Sequence, residues 1–181
     1  MKYAALLRGI GPSNPNMRNE KLRGVFQKLG FHDVQTVISS GNVLFESPSK
    51  DTKALETAIE EAIQRQLGFT STTIIRSHQQ LRRLVGSNLF EGIEDSPTTR
   101  LNVTFQKEKR RTNLQFPYRA EKRGYTVVGT HGREVFSVVD LTGASTSDLM
   151  AWLEKQFGKT ITTRTWKTVG RILNRLDAAG R

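Results

Sequence analysis

The chain has 181 residues and an apolar share of 36%, which suits one domain or two small halves with a packed interior. It contains no cysteine, so disulfides, thiolate nucleophiles and thiolate metal sites are excluded. Its 28 lysines and arginines against 17 acidic residues give a net charge of +11, which favours partners that are polyanions or carry phosphate.

The first half of the chain is predicted to fold in the order βαββαβ. Its first strand is almost continuously apolar, which indicates that both of its faces are covered. Two helices are predicted from apolar residues at helical spacing, each ended by a glycine. In chain order the segments are the strand Tyr3–Gly9, the loop Ile10–Met17, a helix with Leu22, Val25, Phe26 and Leu29 ended by Gly30, a hairpin, a helix with Leu55, Ile59, Ala62, Ile63 and Leu67 capped by Ser49 or Asp51 and ended by Gly68, and the strand Thr70–Arg76.

The segment Thr36–Glu46 is predicted to be the central hairpin of this half. Two runs rich in β-branched and apolar residues, Thr36–Ser39 and Val43–Phe45, are predicted to be its strands and flank Ser40-Gly41-Asn42. A tight turn needs positive φ angles, which glycine adopts freely and asparagine tolerates, so we expect the turn at Gly41 and Asn42. This position would place the Asn42 side chain at the mouth of the hairpin as a polar group positioned by the backbone geometry.

After the first half, the pattern of strands and helices starts again. Ser77–Gln80 has the spacing of a capping box and predicts a short helix, which a polar connection follows. The later segments are the strand Leu101–Gln106, the irregular or weakly helical stretch Arg110–Ala120, the hairpin strands Tyr125–Gly129 and Glu134–Asp140, a helix with Leu149, Trp152, Leu153 and Phe157 capped by Ser145 or Thr146, the strand Ile161–Arg164, and a last helix with Val169, Ile172, Leu173 and Leu176 capped by Thr165.

The two halves also share a short sequence at a fixed offset. Gln66–Thr73 (QLGFTSTT) matches Gln156–Thr163 (QFGKTITT), 90 residues further on, at five of eight positions. A shared element order and a shared offset together predict an α/β (α+β) fold of two ferredoxin-like βαββαβ halves, which arose by duplication and pack on a shared core. The predicted parts are residues 1–86 for the first half, 87–100 for a connection, and 101–181 for the second half with its terminal helix.

Three segments together resemble the bacterial family known as domain of unknown function 1697. They are Leu6–Ile10 (LLRGI), Ser40–Phe45 (SGNVLF) and Thr162–Val169 (TTRTWKTV), so the resemblance spans nearly the whole chain. It implies an α/β fold with ferredoxin-like halves and no established activity. The chain departs from the family pattern twice: the loop after Ile10 reads GPSNP instead of continuing with asparagine and paired glycines, and position 165 is threonine instead of asparagine.

Two strand ends carry the residues that are predicted to bind a ligand. Arg8 precedes a loop rich in glycine, proline and asparagine, where free N–H groups could hold an anion, although a plain turn is the alternative. Arg164 and Lys167 lie beside the start of the last helix, where cations are disfavoured unless an anion is bound. Trp166 between them is either a core residue or a stacking platform. The predicted ligand-binding residues are Arg8, Asn42, Arg164, Trp166 and Lys167.

A second basic feature is the segment Lys107–Arg123, with seven basic and two acidic residues and with Phe116 and Tyr118 among them. It could follow a nucleic-acid backbone and stack bases, or it could be an ordinary solvated loop. We therefore predict a protein that binds a phosphate-bearing ligand, either a nucleotide or a nucleic acid. The alternatives are an enzyme acting on a phosphorylated small molecule and an interaction module that uses only its basic surface.

Other classes of site have little support in the sequence. His32, His78 and His131 lack metal-ligand spacing, so we predict neither a metal nor a cofactor, and no catalytic constellation is visible. No segment approaches the roughly 20 apolar residues of a membrane span, and the apolar start of the chain, which carries Lys2 and Arg8, is typical of a strand and not of a signal peptide. We expect a cytoplasmic monomer or weak homodimer without membrane association.

Overall fold

A computed structural model describes residues 1–11, 13–143 and 146–178 of the chain. Pro12 of the predicted first loop and Ser145, one of two predicted helix caps, lie outside the described residues. The described part is a mixed α+β structure with two antiparallel sheets and five α-helices. The chain divides into two compact units: unit 1 comprises Met1–Arg83 and Gly170–Arg181, and unit 2 comprises Leu84–Val169. The predicted boundaries at residues 86 and 101 stay a prediction.

Unit 1 is built around a four-stranded sheet. Its elements are β1 (Lys2–Leu7), a short 3-10 helix (Pro15–Met17), α1 (Asn19–Lys28), β2 (His32–Thr36), β3 (Asn42–Glu46), α2 (Thr52–Leu67), β4 (Thr73–Ser77) and most of α3 (His78–Gly86). The strands are ordered β2-β3-β1-β4, and every neighbouring pair is antiparallel. The predicted order of elements in this half is therefore confirmed.

The core of unit 1 combines alternate strand residues with the apolar stripes of α1 and α2. The ring of Phe45 lies 5.5 Å from those of Tyr3 and Phe26 and 4.6 Å from that of Phe31. Aromatic pairs of this kind add about 0.5–1.5 kcal/mol each beyond the area they bury. All residues from Tyr3 to Leu7 are buried, as the apolar run predicts. The predicted helix residues Leu22, Val25, Phe26, Leu55, Ile59, Ala62 and Ile63 belong to this core.

The central hairpin of unit 1 differs from the prediction. The strand β2 ends at Thr36, so the predicted strand Thr36–Ser39 is wrong and Val37–Gly41 forms the connection instead. Gly41 has the expected positive φ of 73°, but Asn42 does not, because it is already the first residue of β3. The second left-handed residue of the loop is Ile38, with a φ of 48°. A β-branched residue is disfavoured there, so no turn signal in the sequence points to it.

The predicted helix ends in unit 1 are confirmed. The carboxylate of Asp51 accepts a hydrogen bond from the N–H of Ala54 at the start of α2. Ser77 and Gln80 form the predicted capping box: the N–H of Gln80 donates to Ser77 Oγ, and the N–H of Ser77 donates to Gln80 Oε1. Gly68 ends α2 with a φ of 75°, which satisfies the last turn without the strain that a Cβ atom would bring.

Two glutamates of α2 protect the exposed edge of this sheet. β4 is an edge strand, so the N–H groups that point away from β1 have no strand partner. Glu56 Oε1 accepts a hydrogen bond of 2.8 Å from the N–H of Ile75, and Glu60 Oε1 accepts one of 2.7 Å from the N–H of Thr73. Because residues four apart lie on one face of a helix, α2 can satisfy alternate N–H groups of the strand beside it.

Unit 2 contains a five-stranded antiparallel sheet. Its elements are the end of α3, β5 (Thr99–Gln106), β6 (Tyr118–Ala120), a short 3-10 helix (Glu121–Arg123), β7 (Tyr125–His131), β8 (Glu134–Asp140), α4 (Thr146–Phe157), β9 (Ile161–Thr165) and the start of α5 (Trp166–Ala178). The strand order is β6-β7-β8-β5-β9. Gly132, with a φ of 61°, and Arg133 join β7 to β8, which confirms the second predicted hairpin. Thr165 Oγ1 accepts the N–H of Thr168 and caps α5 as predicted.

The segment between β5 and β7 is the main difference from the prediction in this half. We expected Arg110–Ala120 to be irregular or weakly helical, but its last three residues form the strand β6, which pairs with β7. Alternating half-buried and exposed residues from Arg111 to Ala120 match an extended chain and not a helix. Among the described residues, unit 2 therefore has no counterpart of α1.

The two sheets nevertheless correspond strand by strand. The order β7-β8-β5-β9 repeats β2-β3-β1-β4, with β6 added at one edge. Arg76 is the fourth residue of β4 and lies opposite Ala4, and Arg164 is the fourth residue of β9 and lies opposite Val103. Each guanidinium donates from Nη1 to the carbonyl oxygen of the preceding residue at 2.9 Å.

This correspondence changes how the sequence repeat is understood. Gly68 and Gly158, 90 residues apart, both have positive φ angles and directly follow α2 and α4 respectively. β9 starts three residues after its glycine, whereas β4 starts five residues after its own. The threonines at the end of the two matching segments therefore occupy different positions in their strands. Only the first part of the match, around the glycines, joins structurally equivalent residues.

Candidate functional site

Arg8 and Asn42, two of the predicted ligand residues, lie close together in unit 1. Asn42 pairs with Leu6 in the sheet, and the N–H of Leu7 donates to the carbonyl oxygen of Gly41 at 2.8 Å. Arg8 follows directly and is half-buried, with its backbone N–H on the carbonyl oxygen of Thr72. The structure thus brings these two predicted residues to one end of β1.

The Asn42 side chain is buried at the start of β3. Asn42 is fully buried, with 0% of its surface exposed. Its Nδ2 donates to the carbonyl oxygen of Val37 at 3.0 Å and to Ser40 Oγ at 2.9 Å. A buried amide needs such partners, since an unsatisfied polar group costs about 1–3 kcal/mol. Asn42 therefore fixes the shape of the hairpin loop.

Arg164 is a buried residue of unit 2, with 9% of its surface exposed. Its Nη1 donates to Thr162 Oγ1 at 2.8 Å and to the carbonyl oxygen of Thr163 at 2.9 Å. Burial lowers the pKa of the Arg164 guanidinium to about 10, which leaves it charged at neutral pH. These contacts give Arg164 partners within its own strand.

Trp166 and Lys167 also have partners within unit 2. The Trp166 ring lies 5.3 Å from that of Phe90 and 6.0 Å from that of Phe136, so it packs against apolar neighbours. Lys167 Nζ lies 3.2 Å from Asp95 Oδ2. The sequence argument for Lys167 invoked an anionic ligand to offset a cation at the helix start, and Asp95 supplies a negative charge there within the protein.

A basic pocket in unit 2 has a volume of about 700 Å³. It lies beside the edge strand β6, between the 3-10 helix and the last two turns of α4. Aromatic and basic side chains alternate along its wall. Its principal lining residues are Tyr118, Arg119, Lys122, Arg123, Trp152 and Lys155.

Two stacked aromatic rings form the floor of the basic pocket. The rings of Tyr118 and Trp152 are 4.9 Å apart and inclined by 18°, and Tyr125 lies 6.0 Å from Trp152. Burial and the neighbouring Tyr118 raise the pKa of the Tyr125 hydroxyl, and a hydrogen bond from Arg123 opposes this rise. The floor is thus apolar and its hydroxyl stays neutral at physiological pH, so the positive charge is carried by the rim.

The cations of the rim are not neutralised by described carboxylates. Arg119, Lys122 and Lys155 are exposed, and among the side chains that the structure describes no acidic group forms an ion pair with them. Exposed cations that converge on one cavity produce a field that is stronger than that of isolated surface charges. An anion can therefore enter without displacing an internal partner.

The sequence predicted only part of this pocket. The basic segment Lys107–Arg123 and the interleaved Tyr118 are contiguous and were recognisable from composition. Trp152 and Lys155 come from α4, where Trp152 was assigned to the core stripe because it has helical spacing with Leu149 and Leu153. The sequence signal for this part of the pocket is the spacing of Trp152 and Lys155. Residues at i and i+3 share a helix face, so these two side chains lie next to each other.

A separate charged cluster ties two helices together inside unit 1. Asp177 Oδ1 lies 2.6 Å from His78 Nε2 and accepts hydrogen bonds from Arg82 Nη2 at 2.6 Å and Nε at 3.0 Å. These hydrogen bonds lower the pKa of the Asp177 carboxyl below its usual value. The bond from Arg82 has the larger effect and the bond from His78 the smaller one. The cluster stabilises the end of α5, because the carboxylate is held by partners on α3.

We expect this cluster to make stability depend on acid pH. A carboxyl group whose pKa is lower in the folded protein stabilises the fold above its unfolded pKa of about 4 and loses that effect as the pH falls through the folded value. Asp177→Asn should therefore lower Tm at about pH 7 and make little difference at about pH 2. Thermal unfolding of both proteins across this range checks the prediction. An equal loss at both values would contradict it.

Further site classes are not represented among the described residues. In that part of the chain, no group of three or more histidine, aspartate or glutamate side chains could hold a metal ion. None of the described helices is long and apolar enough to cross a membrane.

The fold and the pocket define a mixed α+β protein with a cationic, aromatic-lined cavity. The chain belongs to the family described as "Protein of unknown function (DUF1697)", whose model matches residues 1–136, so the resemblance seen in the sequence is confirmed. It is similar in structure to a conserved bacterial protein, SP0830 from Streptococcus pneumoniae, with a TM-score of 0.71 and 20% identity over 97% of this chain and 98% of that one. At this identity the likeness shows the fold alone. No curated protein matches the chain.

Proposed function

We propose that the protein binds a phosphate-bearing ligand, a nucleotide or a nucleic acid, in the basic pocket of unit 2. The observation that carries this proposal is the placement of Arg119, Lys122, Arg123 and Lys155 around the stacked rings of Tyr118 and Trp152. Phosphate and nucleobase need these two kinds of surface next to each other. Cations hold the phosphate, and an aromatic face accepts the base.

The charge of the whole chain supports the same conclusion. A net charge of +11 attracts polyanions from a distance, and the pocket rim is where uncompensated cations converge within a single unit. Stacking of a base on an aromatic side chain contributes about 1–3 kcal/mol, independently of base identity. We therefore expect binding with little sequence preference.

The residues first predicted from the sequence stay a prediction as a ligand site. Arg8 and Asn42 belong to unit 1, whereas Arg164, Trp166 and Lys167 belong to unit 2. The contacts of Asn42, Arg164 and Lys167 within their own units supply structural roles for them. The basic pocket is the better-supported site, because Arg119, Lys122 and Lys155 form no ion pair with a described carboxylate, while Arg123 bonds to the Tyr125 hydroxyl of the same pocket.

We also propose that the two halves are ferredoxin-like units that arose by duplication. Three features support this origin. They are the common strand order, the glycines that end α2 and α4, and the equivalent buried arginines Arg76 and Arg164. Loss of the first helix in the second half would account for the segment that leads to β6. That segment supplies part of the basic pocket, so on this proposal the departure from the repeat created the site.

The test is a titration of fluorescently labelled single-stranded and duplex oligonucleotides, with AMP and ATP as competitors. The double substitution Lys122→Gln/Lys155→Gln should weaken binding by about tenfold or more, equivalent to at least about 1.4 kcal/mol. If all four rim cations contact phosphates of a single strand, the slope of log K against log salt should be about −3.

A matched control separates the pocket from general surface charge. Lys21 and Lys53 are exposed on the helices of unit 1, so Lys21→Gln/Lys53→Gln changes the net charge equally. This variant should keep nearly all of its affinity. Equal weakening by the two double variants, or no binding at about 50 mM salt, would contradict a specific phosphate site in the pocket.

A further inference from the structure

The connection between β2 and β3, residues 37–41, is held in one shape by its neighbours. Asn42 Nδ2 donates to the carbonyl oxygen of Val37 and to Ser40 Oγ, and the N–H of Val37 donates to the carbonyl oxygen of Asn42. Gly41 lies so close to the side chain of Ile10 that a Cβ atom on it would be 2.6 Å from Ile10 Cγ1. We call this segment the 37–41 loop.

The fixed loop imposes an unfavourable conformation on Ile38. Its φ of 48° lies in the left-handed region, where a β-branched side chain is a genuine outlier. Strained residues of this kind persist only where the surrounding structure determines them, and they cluster at functional sites. The strain is not offset by burial, because 39% of the Ile38 surface is exposed, and apart from the chain's first residue no other large apolar side chain in the described part is so exposed.

Ile38 lines a second cavity that lies entirely within unit 1. The cavity has a volume of about 450 Å³, and Thr36, Val37 and Ile38 form one wall. The opposite wall is the exposed face of α5, with Arg171, Asn174 and Arg175. Arg171 and Arg175 are one helical turn apart, and no described carboxylate forms an ion pair with either. An apolar side chain thus faces a pair of cations across an open cavity.

We propose that this cavity binds a small anion that carries an apolar group, such as a carboxylate or phosphate ester with an aliphatic or aromatic part. The apolar part contacts Ile38 and Val37, and the anion is held by Arg171 and Arg175 with Asn174 as a further donor. A bound ligand would cover the exposed Ile38 side chain and remove it from water. This burial is favourable and would offset the strain of the Ile38 backbone. The site is independent of the basic pocket, which belongs to unit 2 and has an aromatic floor.

The test uses octanoate as the probe, with 1-octanol and acetate as probes that lack the charge and the apolar chain respectively. Binding is followed by the NMR shift of the Ile38 δ1 methyl group in isoleucine-labelled protein. Octanoate should move this signal in a saturable way, and the two other probes should bind about tenfold more weakly or worse. Arg171→Gln/Arg175→Gln should also reduce the octanoate affinity about tenfold. The basic-pocket variant Lys122→Gln/Lys155→Gln should bind octanoate as tightly as the unaltered protein.

Two substitutions of Ile38 separate binding from folding, with binding followed by calorimetry. Asparagine tolerates a positive φ, so Ile38→Asn should leave Tm unchanged or raise it by up to about 4 °C while octanoate binding is lost. Ile38→Leu keeps an apolar side chain and should keep the affinity. The proposal is overturned if octanoate leaves the Ile38 methyl signal in place, if octanol binds as well as octanoate, or if Ile38→Asn binds octanoate like the unaltered protein.

Discussion

Replacing Glu56 with alanine is expected to lower the free energy of unfolding by about 2–3 kcal/mol, because the buried N–H of Ile75 then loses its acceptor. Glu56 is 3% exposed, so water cannot easily take the place of its carboxylate. The bond also closes the edge of a sheet that would otherwise present unpaired N–H groups. Denaturant unfolding measures the effect as a lower midpoint with an unchanged m-value.

Two further substitutions serve as controls for Glu56. Glu56→Gln keeps an acceptor at the same position and should lose less stability than the alanine variant. Glu60→Ala removes the equivalent bond to Thr73, but Glu60 is half-buried and water can reach the freed group, so the loss should be smaller, about 1 kcal/mol. If Glu60→Ala cost as much as Glu56→Ala, burial would not be the cause.

The helices of this protein were predictable from periodicity and from their end signals. Apolar spacing identified the buried stripes, and Asp51, Ser77 and Thr165 were recognisable as caps, because these signals act over three or four residues. The role of Glu56 was not predictable in this way. An acidic residue beside the apolar stripe becomes an acceptor only once β4 lies at the sheet edge, and sequence spacing does not determine strand order.

The central hairpin shows the same limit within a short segment. Gly41 gave a correct local signal, and the apolar run of β3 was recognised. The start of the loop was misplaced by the β propensity of Val37 and Ile38, which tertiary contacts override here. Local side-chain bonds from Asn42 and the close approach of Ile10 fix the loop, and Ile10 comes from the segment after β1, which is distant in sequence.

The candidate sites divide in a similar manner. Contiguous charge, as in Lys107–Arg123, can be read from composition, so half of the basic pocket was foreseen. The residues that α4 adds to the pocket were not foreseen, because Trp152 and Lys155 approach Lys107–Arg123 only in the folded unit. At the strand-to-helix corner Arg164–Lys167, the sequence shows the cations but not the side chains that contact them. Its cations looked unpartnered in sequence, whereas Asp95, more than sixty residues earlier, pairs with Lys167.

Substitution of Arg164 by lysine is expected to cost about 2–3 kcal/mol of stability, although a role in ligand binding alone would leave Tm nearly unchanged. Arg164 is buried, and one nitrogen of its planar guanidinium donates to both Thr162 Oγ1 and the carbonyl oxygen of Thr163. Hydrogen bonds to a charged group contribute about 1.5–3 kcal/mol, and the shorter lysine side chain does not place its nitrogen at the position of Nη1. Burial lowers the pKa of Arg164 to about 10 because it disfavours the charged form, and at 9% exposure water has little access to replace lost bonds.

The equivalent residue of unit 1 provides the matched comparison. Arg76 is 2% exposed and makes the same bond to its preceding carbonyl group, so Arg76→Lys should cost a similar amount. Chemical unfolding gives both values, and the oligonucleotide titration shows whether binding follows them. If Arg164→Lys kept its stability but bound the oligonucleotide tenfold more weakly, Arg164 would be a ligand residue, and the strand-to-helix corner would replace the basic pocket as the site. A loss of stability with affinity retained would identify both arginines as parts of the two cores, which their burial and their bonds within the strand already favour.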